Sequence, residues 1–468
     1  MRAGLFLLVA LFFLSAAPVQ SPTVQGAAPA TASRALPAHI GLGLAASPNT
    51  TGIYGWMPAS RIPWDYAYQY LTGGVNTGYG WETWKSGGQF PLYYARGAAS
   101  HHYIPVFSYY DLQMSIGPCA HCSGSHQVLA NLNDAHVMGA YFRDFALLMQ
   151  RLGPGAYNGV RGFGKTAIVH VEPGLSGYAE QAVLANRQCF GYCSGQGNNP
   201  ALLMAAVRTS GYKPVAAYAN TYQGFSVALT RLRDLYAPNV LLAFHVSNWA
   251  TTINIGRDKD VTIDAAALGR EAGQFVVQSS VGSLPNARGY DLIFNDVSDR
   301  DAAYDKYKQG YVSGNDATWW DRLNETYPNF HRWEAYIGAL NGVTKRPIMV
   351  WQIPLGNQYF DTENNTPGHY QDNRAEYFFG HIGELARAGI VGLLFGGGIV
   401  GATTNNDAMR DGVTNPPATC SHDGLSHGQI CNRHMSTVAD DDGGYLRHAA
   451  QQYYRSGGYP LLTSNATS

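Results

Sequence analysis

Eight short apolar runs, most of them rich in Val, Ile and Leu, recur along the sequence and are separated by segments of helix length. Because these runs are continuously apolar rather than alternating, they predict parallel strands buried on both faces. The predicted strands are His39–Ala45, Gly73–Asn76, Tyr103–Tyr110, Thr166–Pro173, Val240–Val246, Tyr290–Asp296, Pro347–Pro354 and Ile390–Phe395. Eight such units predict an α/β fold, a (β/α)8 TIM barrel with long loop insertions on the C-terminal face.

The segments between these runs supply the predicted helices. They are Leu92–His101, Ala135–Gly153, Tyr178–Arg187, Pro200–Thr209, Phe225–Tyr236 and Ala439–Tyr454. A doubly wound open sheet is the alternative arrangement of the same units. No G-x-G-x-x-G motif or P-loop follows the first predicted strand, so the usual sequence signal for that alternative is absent.

The N-terminus has the pattern of a secretory signal peptide. Residues 1–20 contain an early Arg2, an apolar core at Leu5–Leu14, and then small residues. Residues 21–36 read as a small-residue linker, and residues 37–460 as a single barrel domain. No later run of about 18 uncharged apolar residues is present, so we expect no membrane span in the mature chain. The predicted location is secreted or extracytoplasmic.

Six cysteines lie close together in sequence as Cys119/Cys122, Cys189/Cys193 and Cys420/Cys431. An even number of cysteines in an exported chain predicts disulfides, here three local ones. The alternative is a zinc site built from the first two pairs, which an oxidising compartment disfavours.

Composition limits the classes of partner. The formal net charge is −1 and only 13% of the residues are charged. This balance excludes the basic stripe expected of a nucleic-acid-binding protein and of one that binds an anionic membrane surface. The 31 Tyr, 18 Phe and 9 Trp favour a surface that is flat and apolar but can also form hydrogen bonds, as a carbohydrate site requires. We predict no cofactor, and the oligomeric state stays open.

Polar and aromatic side chains collect at the predicted C-terminal ends of the strands. In a parallel barrel these ends meet on one face, where ligands bind. In chain order the candidates are Trp81, Tyr110, Asp111, His170, Glu172, His245, Asn248, Trp249, Asp296, Asp299, Trp351 and Gln352. The sequence therefore predicts a binding site at this end of the barrel.

Two of these carboxylates suit the chemistry of glycosidic bond cleavage, which uses a pair of acids facing each other across the bond. Glu172 is the predicted general acid, with a pKa raised by an apolar, aromatic mouth. Asp296 is the predicted base or nucleophile, and Asp111 and Asp299 are alternatives for that partner. The remaining polar candidates are expected to bind sugar hydroxyls, and the tryptophans to stack on sugar rings.

Short strand-end motifs support this interpretation. The predicted fourth strand ends in VHVEP (Val169–Pro173) and the seventh contains Trp351-Gln352. Together with the signal peptide and the eightfold βα pattern, they make the chain resemble secreted (β/α)8 glycoside hydrolases. The resemblance implies hydrolysis of a polysaccharide or oligosaccharide. In the large retaining clan, strand four ends in Asn-Glu and strand seven supplies a Glu. Here Val171 precedes Glu172, and strand seven has Gln352 in place of a Glu. We therefore assign the second catalytic carboxylate to Asp296.

Other interpretations stay open. A barrel without the strand-seven Glu is also compatible with a non-catalytic carbohydrate-binding protein, or with a cell-envelope glycan assembly factor. Gly401–Asn415 is rich in oxygen ligands that suit Ca²⁺, and His121 and His126 beside Cys119 and Cys122 could hold a metal. A solvated loop is the simpler interpretation, and we assign no metal site. The H-E-x-x-H motif is absent, and GLSG at Gly174–Gly177 lacks the spacing of a G-x-S-x-G nucleophile elbow.

Overall fold

A computed structural model describes most of the chain after the N-terminal segment. The described residues are 36–50, 55–119, 121–122, 124–185, 188–280, 289–308, 318–398, 401–414, 434 and 436–461. The predicted signal peptide, residues 21–35 of the linker and the predicted Cys420/Cys431 pair lie outside them.

Eight parallel strands close a barrel. They are β1 (Gly41–Ala45), β2 (Tyr66–Thr72), β3 (Ile104–Tyr110), β4 (Ala167–Val171), β5 (Val240–Ser247), β6 (Leu292–Asp296), β7 (Ile348–Ile353) and β8 (Ile390–Phe395). Each strand pairs in parallel with the next one along the chain, and β8 pairs with β1. This closed order confirms the predicted (β/α)8 barrel and excludes the open doubly wound sheet.

Helices surround the barrel in the described part of the chain. They are α1 (Trp56–Ala59), α2 (Phe90–Ser100), α3 (Gly124–Asn133), α4 (Ala135–Leu152), α5 (Leu175–Ala185), α6 (Tyr222–Tyr236), α7 (Ala265–Ser280), α8 (Ala302–Lys308), α9 (Phe330–Thr344), α10 (Arg374–Gly380), α11 (Ile382–Arg387) and α12 (Tyr445–Arg455). The capped ones show why they begin where they do. For example, the Asp134 side chain accepts a hydrogen bond from the amide of Val137 and starts α4.

The second strand is a correction to the sequence prediction. It is Tyr66–Thr72, whereas Gly73–Asn76 was predicted. Gly73 and Gly74 have φ angles of 110° and 82°, so they form the turn that ends the strand. The true strand carries tyrosines at every second position and lacks Val and Ile, which is why the apolar pattern missed it.

The predicted helix at Pro200–Thr209 is also wrong. Only two short 3₁₀ turns form there, at Pro200–Leu202 and Arg208–Ser210. Leu203 and Met204 between them form β-bridges to Cys193 and Thr221, so this stretch of backbone is extended.

Three glycines shape the barrel interior around one aromatic ring. A Cβ atom on Gly41 would lie 2.3 Å from Cε2 of Tyr66, and one on Gly43 would lie 2.7 Å from Cβ of Tyr66. On β8, a Cβ atom on Gly392 would lie 2.7 Å from Cε of Met349 and 3.4 Å from the Tyr66 ring. The absence of a side chain at Gly41, Gly43 and Gly392 therefore makes room for the ring of Tyr66. Tyr66 is fully buried.

Two of the three predicted disulfides are confirmed, Cys119–Cys122 and Cys189–Cys193. The third lies outside the described residues. Among the helices that the structure describes, none combines the length and the apolar character needed to cross a membrane.

Candidate active site

A cavity of about 940 Å³ opens at the C-terminal ends of the barrel strands. It has the size and position of a ligand site in a barrel of this type. Its walls are Tyr70, Thr72, Tyr110, Met114, Pro173, Gly174, Tyr178, Gln181, Gln188, His245, Ser247, Asn248, Trp249, Asn254, Gly256, Arg257, Asp296, Val297, Ser298, Asp299, Asp305, Thr318, Trp351, Gln352, Arg374 and Gly398.

Asp296 brings a carboxylate to this cavity from the end of β6. Its side chain is 22% exposed, and its Oδ1 lies 3.4 Å from Nε2 of the buried His245. Among the described residues, Oδ1 has no hydrogen-bond partner. Oδ1 is also buried, and a buried acceptor without a partner is uncommon enough to need an explanation.

A chain of hydrogen bonds leads from the barrel interior to Ser247, which pairs with Asp296 across β5 and β6. Ser108 Oγ lies 3.2 Å from Nδ1 of His170, and Nε2 of His170 lies 2.9 Å from Nδ1 of His245. Nε2 of His245 then lies 2.8 Å from Oγ of Ser247. Burial, together with the neighbouring His245, holds the pKa of His170 well below its usual value, so this ring is neutral.

The tautomers along this chain follow from Asp296. A neutral histidine donates from one nitrogen and accepts at the other. An ionised Asp296 attracts a proton on Nε2 of His245, which leaves Nδ1 of that ring as an acceptor. We therefore assign the proton of His170 to Nε2, with Ser108 donating to Nδ1. In this assignment every donor points toward Asp296.

Aromatic rings form the apolar part of the walls. Tyr70 and Trp351 lie side by side with ring centroids 5.7 Å apart, and Tyr178 and Trp249 with centroids 5.0 Å apart. The indole Nε1 of Trp351 is buried and has no acceptor among the described residues. Two residues that line the cavity, Trp351 and Asp296, therefore each have a buried polar atom without a partner in the described part of the chain.

Two acidic residues that line the cavity, Asp299 and Asp305, are paired with arginines. Arg300 binds both oxygens of Asp299 at 3.0 Å, and Nη2 of Arg257 donates to Oδ2 of Asp305 at 2.8 Å. Asp305 is almost fully buried, and this burial raises its pKa although both arginines oppose the shift. Asp299 is the more exposed of the two, at 41%.

Gln352 turns into the cavity from the end of β7. Its φ angle is 54°, a left-handed conformation that interrupts the strand alternation. Its Nε2 donates to the hydroxyl of Tyr70 at 2.5 Å. Gly398 leaves the room for this amide, because a Cβ atom there would lie 1.8 Å from Nε2.

Glu172 turns the other way. With the alternation of a regular strand it would share the lumenal face of His170, but its φ angle of 46° breaks the alternation. Its carboxylate is buried, and Oε1 accepts hydrogen bonds from the amides of Asp111 at 3.2 Å and Leu112 at 3.1 Å. Glu172 does not line the cavity, although Pro173 and Gly174 do.

Burial raises the pKa of Glu172 to about 7. The two amides and the nearby hydroxyl of Tyr141 partly offset that shift, and the charge of Asp144 adds to it. The value suits a general acid, but the carboxylate lies behind Tyr110 and the turn that follows β3.

Asp111 and Trp81 also lie away from the cavity. Burial raises the pKa of Asp111 to about 9, and its Oδ1 accepts a hydrogen bond from the amide of Gly74 at 2.7 Å. Trp81 is fully buried and donates from Nε1 to Oδ1 of Asp144 at 2.9 Å. Asp111 thus links the loops after β2 and β3, and Trp81 links the loop after β2 to α4.

The structure brings eight of the twelve predicted site residues to the cavity: Tyr110, His245, Asn248, Trp249, Asp296, Asp299, Trp351 and Gln352. Trp81, Asp111, His170 and Glu172 are buried outside its walls. The sequence prediction missed Tyr70 and Thr72, because it placed the second strand too late. The period-two tyrosines of Tyr66–Thr72 were the signal that could have identified them.

Comparison with known proteins gives likeness in structure only. No protein-family model matches the chain, and no curated protein matches it. An endo-β-1,4-mannanase from Cellulomonas fimi is 10% identical, with 78% of this chain and 66% of that chain covered and a TM-score of 0.39. A β-glucosidase called 1317 is 12% identical, with 87% of both chains covered and a TM-score of 0.41.

A third similar structure is the exo-β-1,4-mannosidase Op5Man5 from Opitutaceae bacterium strain TAV5. It is 11% identical, with 89% of this chain and 60% of that chain covered and a TM-score of 0.40. These proteins carry glycosidase names, as the strand-end resemblance predicted. At such identities and TM-scores the likeness decides nothing about activity, and the barrel assignment rests on the strand pairing described above.

Proposed function

We propose that this protein is an exported glycoside hydrolase that binds a polysaccharide or oligosaccharide in the cavity at the strand ends. Asp296 is its base or nucleophile. Tyr110, His245, Asn248 and Gln352 hydrogen-bond sugar hydroxyls, and Trp249 and Trp351 provide the apolar faces. The disulfides and the apolar N-terminal segment support an extracytoplasmic location.

The observation that supports this proposal best is that two residues lining the cavity each have a polar atom without a hydrogen-bond partner. Oδ1 of Asp296 and Nε1 of Trp351 are both buried without a partner in the described part of the chain. An unpaired buried polar group costs about 1–3 kcal/mol, so both atoms favour a ligand that supplies a donor and an acceptor. Sugars combine such hydroxyls with apolar ring faces that suit aromatic side chains.

The identity of the general acid is a choice between two carboxylates. Glu172 has a pKa of about 7, which suits an acid, but its Oε1 is held by two amides behind the cavity wall. Asp299 lines the cavity, but Arg300 donates hydrogen bonds to both of its oxygens. Glu172 can act only if the turn after β3 opens, whereas Asp299 can act only if Arg300 releases it.

The test is hydrolysis of a panel of β-linked and α-linked glycans, measured as release of reducing ends. We expect Asp296→Asn to lower kcat/KM by about 10²–10⁴, the usual contribution of general acid–base catalysis. Glu325→Gln, an exposed position away from the cavity, is the matched control and should match wild type. Turnover by Asp296→Asn within about tenfold of wild type would exclude this assignment.

Glu172→Gln and Asp299→Asn then identify the acid. The variant of the true acid loses activity on substrates with poor leaving groups far more than on aryl glycosides, because only the former need a proton. A variant that merely disturbs the fold slows both substrate types equally.

A second candidate, a non-catalytic carbohydrate-binding barrel, is favoured by one observation. The ends of β4 and β7 carry a buried Glu172 and a neutral Gln352, so neither presents a carboxylate to the cavity. Glycan binding by wild type without turnover of any panel member, retained in Asp296→Asn, would support this candidate over the hydrolase.

A further inference from the structure

Three ligand-type side chains from separate chain segments meet outside the cavity. His369 lies in the loop between β7 and α10, Asp411 in the loop after β8, and Asp441 just before α12. One ring nitrogen of His369 and one carboxylate oxygen from each Asp all lie within 4.8 Å of one another. None of the three residues lines the cavity of the proposed active site.

The bonds of His369 fix how its ring is used. Nδ1 lies 2.8 Å from the backbone carbonyl oxygen of Asp441, which can only accept, so Nδ1 carries a proton and donates it. Nε2 then faces Oδ2 of Asp411 at 3.0 Å. Two states fit this geometry: a doubly protonated ring, or a neutral ring whose Nε2 and the carboxylate share a cation. The second is the usual arrangement of a metal-binding histidine, whose other N–H is held by a carbonyl group.

The charge around these residues favours the cation. His369 and Asp441 are each only 2% exposed, so a single imidazolium would have to balance two carboxylates, of which only Asp411 is in contact with solvent. Burial, together with the nearby Asp301, Asp442 and Asp441, raises the pKa of Glu363 well above its ordinary value. Glu363 is also 2% exposed, and among the described residues neither of its carboxylate oxygens has a hydrogen-bond partner. Buried carboxylates are normally paired or bound to metal ions.

The distances suit a small divalent ion. Zinc binds imidazole nitrogen and carboxylate oxygen at about 2.0–2.2 Å, so the ligand atoms of a tetrahedral site lie about 3.3–3.6 Å apart. The His369–Asp411 pair, at 3.0 Å, is near this spacing, and the Asp441 oxygen, which lies within 4.8 Å of the other two atoms, would have to move by up to about 1.5 Å. Asp411 is 36% exposed and gives the ion a path from solvent.

We propose that His369, Asp411 and Asp441 form a binding site for a divalent transition-metal cation of the Zn²⁺ type, with water completing the coordination. One imidazole with two carboxylates suits zinc better than the all-oxygen shells that Ca²⁺ prefers. The bound ion ties the loop after β7, the loop after β8 and the start of α12 to one another. Its role is structural, and it is independent of the chemistry proposed for the cavity.

The experiment uses the full chain, treated with a chelator, dialysed, and titrated with ZnCl₂ by calorimetry and in thermal unfolding. We expect one equivalent of Zn²⁺ to bind this site and to raise Tm. Asp411→Asn and His369→Gln should each weaken this binding at least tenfold and remove the shift in Tm. Because Asp411 is partly exposed, its variant is expected to fold even if the His369 variant does not.

His331→Gln is the matched control, because His331 belongs to a separate surface cluster with Glu334 and Glu384. It should leave the zinc-dependent shift unchanged. The proposal is overturned if wild type binds no zinc, or if Asp411→Asn binds it as tightly as wild type. A shift in Tm that Ca²⁺ produces and Zn²⁺ does not would overturn the assigned class of metal.

Discussion

β4 and β7 both end with a residue in the left-handed conformation, but the two side chains lie in different places. Each has a non-glycine residue in the left-handed region, Glu172 with φ of 46° and Gln352 with φ of 54°. Glu172 places its carboxylate behind the cavity wall, where two amides hold it. Gln352 places its amide in the cavity, where it bonds to Tyr70. In the large retaining clan of barrel hydrolases, from which this chain departs, both strand ends supply a carboxylate to the site.

The difference shows that a left-handed residue at a strand end frees its side chain from the alternation of the strand. The side chain then lies where its polar partners are. For Glu172 these partners are the backbone amides of the turn after β3, and for Gln352 they are a lumenal hydroxyl and the space left by Gly398. Residues in this conformation cost roughly 1–2 kcal/mol each, which the new contacts have to offset.

The largest effect is expected from removing the Glu172 side chain. Glu172→Ala leaves the amides of Asp111 and Leu112 buried without an acceptor, and an unpaired buried donor costs about 1–3 kcal/mol. We expect the free energy of unfolding, measured in urea, to fall by about 3 kcal/mol or more. Glu172→Gln keeps an oxygen for both amides and should lose much less. Equal losses in the two variants would show that these amides do not depend on Glu172.

A smaller effect, on binding rather than on stability, is expected at Gln352. Gln352→Ala removes a side chain that bonds to Tyr70 and faces the cavity. We expect affinity for the bound glycan to fall about tenfold, equivalent to about 1.4 kcal/mol, with Tm nearly unchanged. Calorimetry and thermal unfolding of the same preparation measure both. A variant that loses stability and keeps its affinity would place Gln352 with Glu172 as a structural residue.

The smallest expected effect is the change in the free energy of unfolding per pH unit. The pKa of Glu172 rises from 4.5 to about 7 on folding, so the folded chain binds this proton more tightly than the unfolded chain does. Its contribution to stability is full below pH 4.5 and is lost as pH rises toward 7. In that window we expect wild type to lose about 1 kcal/mol per pH unit relative to Glu172→Gln. Parallel pH profiles of the two proteins would contradict the shift.

Much of the barrel could be predicted from sequence because seven strands are runs that bury both faces. Such runs have few alternative placements, and β1 and β3–β8 lie where they were predicted. The eighth, β2, has lumenal tyrosines at Tyr66, Tyr68 and Tyr70 instead of Val and Ile. Its identity depends on the glycines of β1 and β8 that make room for Tyr66, and this is a contact between distant parts of the chain.

Within the site, the sequence could predict only those residues whose position is set by the end of a strand. Residues such as Asp296, Trp351 and Tyr110 lie at the cavity because their strands end there. The directions of Glu172 and Gln352 depend on single φ angles that residue spacing does not encode. Trp81 was assigned to the site because its strand was placed a few residues late, and it is a core residue bonded to Asp144.

The histidine chain below Asp296 has one further consequence. Because His170 is neutral, its bonds to Ser108 and His245 have only two self-consistent directions, and an ionised Asp296 selects one of them. Replacing the carboxylate by an amide in Asp296→Asn removes that selection, and the protons on both rings are then free to shift in concert. The direction of the hydrogen bond at Ser108, inside the barrel, therefore depends on the charge of Asp296 at the cavity. His170 is fully buried, so a spectroscopic signal from its ring nitrogens would report a change in the charge of Asp296 without interference from solvent.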